Sequence, residues 1–181
     1  RDAMALTLGI VGGGQLARMM IAPAVELGID VRVLAEEPGM SAALAEAATG
    51  DYRDLETVRA FARGVDVVTF DHEHVPQEVL RALVADGVAV HPGPDALQFA
   101  QDKLRMRARL AELGAPQPEW AEVSDAAQLR AFLDANGGRA VVKTPRGGYD
   151  GKGVRVVSPP DEVSDWFVDG PLPAEELLEF S

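Results

Sequence analysis

One stretch of the chain decides how the rest is interpreted: Val141-Val142-Lys143-Thr144-Pro145-Arg146-Gly147-Gly148-Tyr149-Asp150-Gly151-Lys152-Gly153-Val154. A β-branched run ends in Lys143, a loop with four glycines follows, and a second β-branched run starts at Val154. Such runs on either side of a glycine-rich loop predict two paired strands. The loop N–H groups, with Lys143, Arg146 and Lys152 nearby, suit a phosphate chain. An ordinary β-hairpin with a glycine-rich tip would have the same pattern.

The composition is that of a globular protein, with 47% hydrophobic and 25% charged residues in 181. A net charge of −12 argues against nucleic-acid binding, which needs a basic surface. The absence of cysteine excludes disulfides, thiolate metal sites and a cysteine nucleophile. No apolar run is long enough to span a bilayer, and the start does not resemble a signal peptide. We therefore expect a cytoplasmic protein with no membrane partner.

The first third of the chain predicts a Rossmann-like βαβ unit. The apolar run from Leu6 to Val11 is followed at once by Gly12-Gly13-Gly14-Gln15-Leu16-Ala17, which matches the pattern G-x-G-x-x-G/A. A second apolar run, Val31 to Ala35, ends at Glu36, about where a dinucleotide fold holds a ribose hydroxyl. A nicotinamide or flavin cofactor stays an alternative, because the same turn serves any tight strand-to-helix crossing.

Several local features are predicted by spacing and residue type. Leu16, Met20 and Leu27 recur at helical spacing and predict a helix after the glycine turn, with Gly28 as its C-terminal stop. Asp54 and Ser124 are predicted helix N-caps. At the end of the chain, the segment from Glu175 to Phe180 is expected to form a strand.

A polar segment, Asp71-His72-Glu73-His74, follows the apolar strand predicted over Asp66 to Phe70. Two histidines and two acids suggest a metal site, but in an extended segment they would alternate between two faces. The sequence therefore favours a polar loop without metal. Because ligands bind beyond the carboxyl ends of strands in open α/β sheets, Glu73 and the Gly12–Gln15 turn are expected on the same rim.

Four groups of residues carry a family resemblance, in the family's order along the chain. They are Val11 to Met19; Asp66 to Phe70 with Glu73 to Pro76; Gln101 to Leu104; and Val142-Lys143 with Gly147 to Gly153. On these residues the chain resembles the amino-terminal half of the 5-(carboxyamino)imidazole ribonucleotide synthases, a family of the ATP-grasp superfamily. The most specific segment is Gly-Gly-Tyr-Asp-Gly-Lys-Gly after a strand lysine. At Asp71-His72 many relatives carry Glu-Phe, so the role of these two residues is open.

The resemblance implies an α/β protein of two parts. Residues 1–98 would form a Rossmann-like, parallel-sheet pre-ATP-grasp domain, and residues 99–181 a linker helix with the small α+β lobe of an ATP-grasp fold. The large lobe would be absent from this chain, along with the Mg²⁺ ligands that the family carries further on. We therefore expect a fragment that is inactive alone, and a homodimer in the complete protein.

The resemblance also implies an activity in de novo purine biosynthesis. Members of the family use ATP and bicarbonate to carboxylate the exocyclic amine of 5-aminoimidazole ribonucleotide through carboxyphosphate, giving ADP and phosphate. Two alternatives remain. One is another ATP-grasp ligase, acting on glycinamide ribonucleotide with formate or on biotin with bicarbonate. The other is an NAD-binding Rossmann protein.

Residue by residue, the resemblance assigns two overlapping sets of contacts. The ATP contacts are Lys103, Lys143, Gly148, Tyr149, Asp150, Gly151, Lys152, Gly153, Val154, Glu175, Glu176, Leu177 and Leu178. The ribonucleotide contacts are Gln15, Glu73, Tyr149, Asp150 and Lys152. Within these sets the loop would act as a lid and the segment from Glu175 as the adenine hinge. Asp150 and Lys152 are the catalytic candidates, with Asp150 a candidate for the amine proton. No metal ligand is assigned within the chain.

Overall fold

In a computed structural model of the chain, the residues described are 5–148 and 151–179, without the side chain of Pro160. They divide into two compact units, the first ending at Leu97 and the second starting at Gln98. The predicted roles of Tyr149, Asp150 and Phe180 fall outside the described residues. Within the described ranges, no helix is long and apolar enough to cross a membrane.

The first unit alternates parallel strands with helices. Its elements are β1 (Thr7–Val11), α1 (Gln15–Glu26), β2 (Asp30–Ala35), a 3₁₀ turn (Ala43–Ala45), β3 (Glu46–Thr49), α2 (Leu55–Ala62), β4 (Val67–Phe70), α3 (Gln77–Ala85), β5 (Ala89–Val90) and α4 (Pro94–Gln101), which runs across the unit boundary. The sheet order is β3-β2-β1-β4-β5, and every pairing is parallel. The predicted Rossmann-like sheet is confirmed. The order reverses at β1, so the Gly12–Gly14 turn lies at the topological switch point.

Helices cover both faces of this sheet. Alternate residues of β1 point to opposite sides and therefore pack against different helices. Ile10 packs in a cluster with Ala17 of α1, and Val11 packs in a cluster with Val58 of α2 and Leu80 of α3. The predicted cap of α2 is confirmed, since the Asp54 carboxylate accepts from the Thr57 N–H at 2.9 Å.

The helix predicted from Leu16, Met20 and Leu27 is present as α1, but two of these three residues do not lie on its buried face. Leu16 is 59% exposed and Leu27 is 75% exposed, whereas Ala17 and Ala24 are buried. Small side chains let a helix lie close to the sheet, so the buried face is set by packing distance rather than by hydrophobicity alone. The helix continues through Pro23 to Glu26.

The second unit is built on an antiparallel sheet. Its elements are α5 (Lys103–Glu112), β6 (Trp120–Val123), α6 (Ala126–Ala135), β7 (Ala140–Lys143), β8 (Val154–Val157), a 3₁₀ segment (Pro160–Asp169) and β9 (Leu172–Glu176). The sheet order is β6-β9-β7-β8. Leu129 and Leu133 of α6 pack with Val142 and Leu172 in the core. The predicted small lobe is confirmed by this α+β arrangement.

Two boundaries in the second unit differ from prediction. The last strand ends at Glu176 instead of continuing to Phe180, and it starts at Leu172. Residues Leu172 to Glu175 are all buried in the middle of the sheet. The segment after Glu176 contains another acid, Glu179, whose burial without a partner would be costly. The cap of α6 is Asp125, which accepts from the Gln128 N–H at 2.8 Å. Ser124 was the wrong choice between two adjacent residues that can both cap.

Candidate functional site

The glycine-rich loop of the second unit closes the β7–β8 hairpin, as predicted. Lys143 pairs with Val154, and the Thr144 N–H donates to the Gly153 carbonyl at 2.9 Å. Gly148 has φ +79°, and a side chain there would collide with the Lys152 carbonyl oxygen. The close approach of two backbone segments therefore requires glycine at this position.

Lys103 contacts the same loop from the start of α5. Its N–H donates to the Pro145 carbonyl and its Nζ to the Gly147 carbonyl, both at 2.9 Å. The neighbouring Asp102 carboxylate pairs with Arg146 at 3.2 Å and caps α5 through the N–H groups of residues 104 and 105. These bonds hold Lys103 beside the first part of the loop, although it lies forty residues earlier than Lys143 in the sequence.

At the other side of Lys143 lies a buried carboxylate, that of Glu175 on β9. Its Oε2 accepts from Lys143 Nζ at 2.8 Å and from Arg107 Nη2 at 2.7 Å, and its Oε1 accepts from Arg107 Nε at 3.0 Å. The Glu175 side chain is 6% exposed and that of Arg107 is 12% exposed. Among the described residues, Glu175 is the one polar or charged residue that is buried.

The electrostatics of this cluster favour an ionised Glu175. Burial alone would raise the pKa of Glu175, but the bonds from Arg107 and Lys143 outweigh burial, and its pKa lies below the ordinary value. Two cations share one acid, so the cluster keeps one positive charge in excess. Because an ammonium group has three donors, Lys143 can also reach an anionic ligand.

The remaining predicted contacts of the second unit lie on either side of this cluster. Glu176 ends β9, where its N–H donates to the Glu119 carbonyl at 2.8 Å, and Leu177 and Leu178 follow outside the strand. Gly151, Lys152 and Gly153 form the turn before β8, which starts at Val154. Tyr149 and Asp150 lie outside the described residues. The structure thus brings Lys143 and Glu175 into contact, with Lys103 at the loop that follows Lys143.

The glycine turn of the first unit is arranged differently. Gly12 has φ +109°, and a side chain there would collide with the Asp71 carboxylate. The Gly14 N–H donates to Asp71 Oδ2 at 2.6 Å, and the Gly13 N–H donates to Glu36 Oε2 at 3.3 Å. The amides that would hold a pyrophosphate in a dinucleotide fold are therefore bonded to carboxylates of the chain itself. This arrangement argues against a nicotinamide or flavin cofactor at the turn.

His72 completes this arrangement. Its Nδ1 accepts from the His74 N–H at 3.1 Å, and its Nε2 lies 3.3 Å from Glu36 Oε1. Burial lowers the pKa of His72 despite the nearby acids, and burial raises the pKa of Asp71 despite the bond from Gly14. Asp71 and His72 thus close the glycine turn. In residues 5–148 and 151–179, no group of three or more histidines and acids could hold a metal ion.

Gln15 and Glu73 lie at one edge of the first sheet. Strands β1 and β4 are parallel, with Val11 opposite Phe70, so the segments that follow them leave the sheet on the same side. Gln15 is exposed as the first residue of α1, and Glu73 is half-buried in the loop after β4.

Sequence reasoning missed Arg107 and Asp71 as parts of these sites. The resemblance assigned no role to Arg107, which lies in a basic stretch with Lys103, Arg105 and Arg109. One pattern could have identified it: Lys103 and Arg107 are four residues apart and hence on one face of α5. Nothing in the sequence pairs Asp71 with Gly14, since that contact depends on the parallel pairing of β1 and β4.

Comparisons with known proteins give concordant matches along the chain. The family described as "Ribonucleotide synthetase preATP-grasp domain" matches residues 4–101, and the family described as "ATP-grasp domain" matches residues 108–180. The N5-carboxyaminoimidazole ribonucleotide synthase of Mycobacterium leprae (strain TN) is 46% identical over 186 residues, which cover 95% of this chain and 42% of that protein. The chain therefore spans less than half the length of this relative.

Two solved structures of the Aspergillus clavatus synthase are also similar to this chain. The structure complexed with ATP has a TM-score of 0.84 at 31% identity, covering 98% of this chain and 48% of the other. The structure in complex with ADP and 5-aminoimidazole ribonucleotide has a TM-score of 0.81 at 29% identity, again covering 98% and 48%. The two units of this chain thus have counterparts in a nucleotide-bound enzyme.

Proposed function

We propose, from the premise that this chain belongs to the ribonucleotide synthetase preATP-grasp family, that it is part of an ATP-grasp carbon–nitrogen ligase making N5-carboxyaminoimidazole ribonucleotide in purine biosynthesis. A bicarbonate oxygen attacks the γ-phosphorus of ATP, and ADP leaves. The exocyclic amine of 5-aminoimidazole ribonucleotide then attacks the carbon of carboxyphosphate. A nitrogen–carbon bond forms, the carbon–oxygen bond to phosphate breaks, and the amine loses a proton.

The observation that carries this proposal is the charged cluster of Lys143, Arg107 and Glu175 beside the glycine loop. This cluster places an excess positive charge in a mostly buried position. It lies beside a loop whose backbone approaches itself so closely at Gly148 that only glycine fits there. Charge stabilisation by fixed cations is the main demand of phosphoryl transfer. The M. leprae relative is an N5-carboxyaminoimidazole ribonucleotide synthase, and the A. clavatus structures contain ATP in one case and ADP with 5-aminoimidazole ribonucleotide in the other.

Each unit has its own proposed contacts. In the second unit, Lys103 and Lys143 neutralise the phosphates of ATP. The loop from Gly148 to Val154 covers them, and Glu175 to Leu178 offer backbone groups and carboxylates to adenine. Tyr149, Asp150 and Lys152 contact the ribonucleotide, with Asp150 accepting the amine proton. In the first unit, Gln15 and Glu73 are the proposed ribonucleotide contacts.

The remaining proposals concern the whole protein. The family implies Mg²⁺, but the described residues contain no group of three acids or histidines that could hold it, so no step is assigned to a metal here. We also propose a cytoplasmic homodimer. Within this chain the pre-ATP-grasp domain would be residues 1–98 and the ATP-grasp part residues 99–181.

The test is a phosphate-release assay on the full-length protein with ATP, bicarbonate and 5-aminoimidazole ribonucleotide. We expect ADP and phosphate to form only when the ribonucleotide is present, and ¹³C-bicarbonate to label a carbamate. Lys143→Met should lower kcat/KM by about 100-fold, as expected for loss of a cation that stabilises the transition state. Arg130→Met, which changes an exposed cation on α6, is the control and should leave the rate unchanged.

Three results would redirect the assignment. Phosphate release driven by formate with glycinamide ribonucleotide, or by bicarbonate with biotin, would indicate another ATP-grasp ligase. Tight NADH binding with no effect of ATP would indicate a dinucleotide-binding protein instead. A full-length protein whose ATP turnover does not respond to 5-aminoimidazole ribonucleotide would contradict the proposal.

A further inference from the structure

We propose that Arg107 is a positioning residue for the nucleotide site: it holds the Glu175 carboxylate so that Lys143 is available to the phosphates of ATP. This inference rests on the proposed ATP site. Arg107 itself has no assigned contact with a ligand, and it acts through its neighbours on β7 and β9.

The geometry that supports this role is a two-pronged bond. Arg107 reaches from α5 to β9 and donates Nε to one oxygen of Glu175 and Nη2 to the other, at 3.0 and 2.7 Å. A planar guanidinium fixes a carboxylate in both position and orientation, which a single ammonium cannot do. Gln117 adds a bond to the backbone carbonyl of Arg107 at 3.2 Å. The arginine is therefore held at both its backbone and its side chain.

The charges explain why a second cation is needed. In the structure, Lys143 is also bonded to Glu175, so a phosphate bound by the other donors of Lys143 competes with Glu175 for the charge of the ammonium group. An isolated carboxylate with a side chain 6% exposed would be costly to leave unpaired. With Arg107 in place, Glu175 keeps two bonds and a counter-charge when the lysine turns to the nucleotide. Without Arg107, Glu175 would hold Lys143 as its own counter-ion.

The same arrangement keeps Glu175 ionised. Burial would raise the pKa of Glu175, but the hydrogen bonds and positive charges of Arg107 and Lys143 outweigh burial and hold this pKa below its ordinary value. A fixed, ionised Glu175 at the hinge can accept a hydrogen bond from an amino group of the adenine ring. Arg107 thus orients Glu175 on β9 for the adenine ring and keeps Lys143 on β7 available for the phosphates.

The main test is Arg107→Met in the full-length protein, with ATP affinity measured by calorimetry and steady-state constants measured for each substrate. We expect the Kd and KM for ATP to rise about tenfold, with kcat within about threefold and the KM for the ribonucleotide unchanged. Arg109→Met is the matched control, because Arg109 is on the same helix but half-exposed and paired only with Glu112 among the described ion pairs. The control should leave all constants unchanged.

A double-mutant cycle shows whether Arg107 acts through Glu175. Glu175→Gln removes the charge that holds Lys143, so adding Arg107→Met to Glu175→Gln should weaken ATP binding by less than about twofold. If the second change again costs about tenfold, Arg107 contacts the nucleotide directly and the positioning role is wrong. An equal loss in Arg109→Met would show only a general charge effect and would also overturn it.

Arg107→Lys is the second variant and decides the matter if Arg107→Met does not fold. It keeps the positive charge but loses the two-pronged geometry, so we expect an ATP affinity about threefold weaker than that of the unmodified protein. If the unmodified protein does not bind ATP, the proposed function fails. If it binds ATP and both Arg107 variants bind equally well, the positioning role alone fails.

Discussion

The two units each contain a glycine-rich turn after a strand, but the turns are surrounded by opposite charges. In the first unit, the N–H groups of Gly13 and Gly14 are bonded to the carboxylates of Glu36 and Asp71. In the second unit, the loop after Lys143 lies beside a cluster in which Arg107 and Lys143 outnumber the acid. One turn is closed by the protein's own anions, and the other has positive charge to offer to an anionic ligand.

This difference shows that a glycine pattern alone does not identify a phosphate site. Glycine allows the backbone to approach closely, but what approaches depends on the charges that the fold brings near. At Gly12 the neighbour is an internal carboxylate, whereas at Gly148 it is a carbonyl of the same loop. The sign of the surrounding side chains is therefore the better guide to function.

The largest loss of stability is expected from a substitution that disrupts the first turn. Gly12→Ala would place a side chain into the Asp71 carboxylate at a residue with φ +109°. We expect a loss of about 4 kcal/mol in the free energy of unfolding, measured by urea denaturation. Gly28→Ala is the control, with φ +70° and no atoms near the added carbon, and it should cost about 1 kcal/mol. Equal losses in the two variants would mean that Asp71 does not close the turn.

A smaller effect is expected at the second turn, where Glu175→Gln removes the shared anion between two cations. The isosteric change keeps the packing but leaves Arg107 and Lys143 close together without a counter-charge. We expect a loss of about 2 kcal/mol in the free energy of unfolding. The exposed Glu122 on β6 provides the matched Glu→Gln control, with a change below about 0.5 kcal/mol. A neutral Glu175→Gln would show that the cluster is not stabilised by its charges.

The smallest expected effect is on how the free energy of unfolding depends on pH, which differs between the two regions. Burial lowers the pKa of His72 below 6.5, so the unfolded chain binds the proton more readily and stability falls as the pH drops below 6.5. For Glu175, whose net pKa is lowered by Arg107 and Lys143 against burial, stability is present above 4.5 and is lost as the pH falls further. The two losses therefore occupy different pH ranges.

The charged groups around His72 belong to several segments: Glu36 after β2, and Asp71, Glu73 and His74 in its own loop. Asp71, with a pKa raised by burial, acts in the opposite direction at lower pH, because its folded form takes up a proton first. The measurement is urea unfolding from pH 7 to pH 5 for the native sequence and for His72→Phe. We expect a slope of at most about 1.4 kcal/mol per pH unit, reduced in His72→Phe. The same slope in both would exclude His72 as its source.

Local sequence patterns predicted the elements whose formation depends on nearby residues. The strand before Gly12, the β7–β8 hairpin and the Asp54 cap each follow from a short run of side chains. The burial of Ala17 in place of Leu16 does not, because it depends on how closely α1 lies on the sheet. The position of β9 also depends on its neighbours, since β6 and β7 pair on its two sides.

The candidate sites divide in the same way. Lys143 and the glycine loop could be identified from sequence because they are adjacent in the chain. The partners Arg107 and Glu175 are separated by 68 residues, and Gly14 and Asp71 by 57. Contacts of this length are fixed by strand order and helix placement, which a single sequence does not specify. The resemblance to a family assigned Glu175 to the adenine hinge but assigned nothing to Arg107, although the four-residue spacing from Lys103 places Arg107 on the same helix face.

The central position of β9 has a consequence for the order of events during synthesis. The sheet order β6-β9-β7-β8 means that the last of these four strands to be translated lies between two strands translated earlier. Until the ribosome releases Leu172 to Glu176, β6 has no partner in this sheet, and the β7–β8 hairpin would be marginal in water. By contrast, the five strands described in the first unit have all been translated once Val90 has emerged. We therefore expect the first unit to fold on the nascent chain before the second unit, whose sheet cannot form until β9 has emerged.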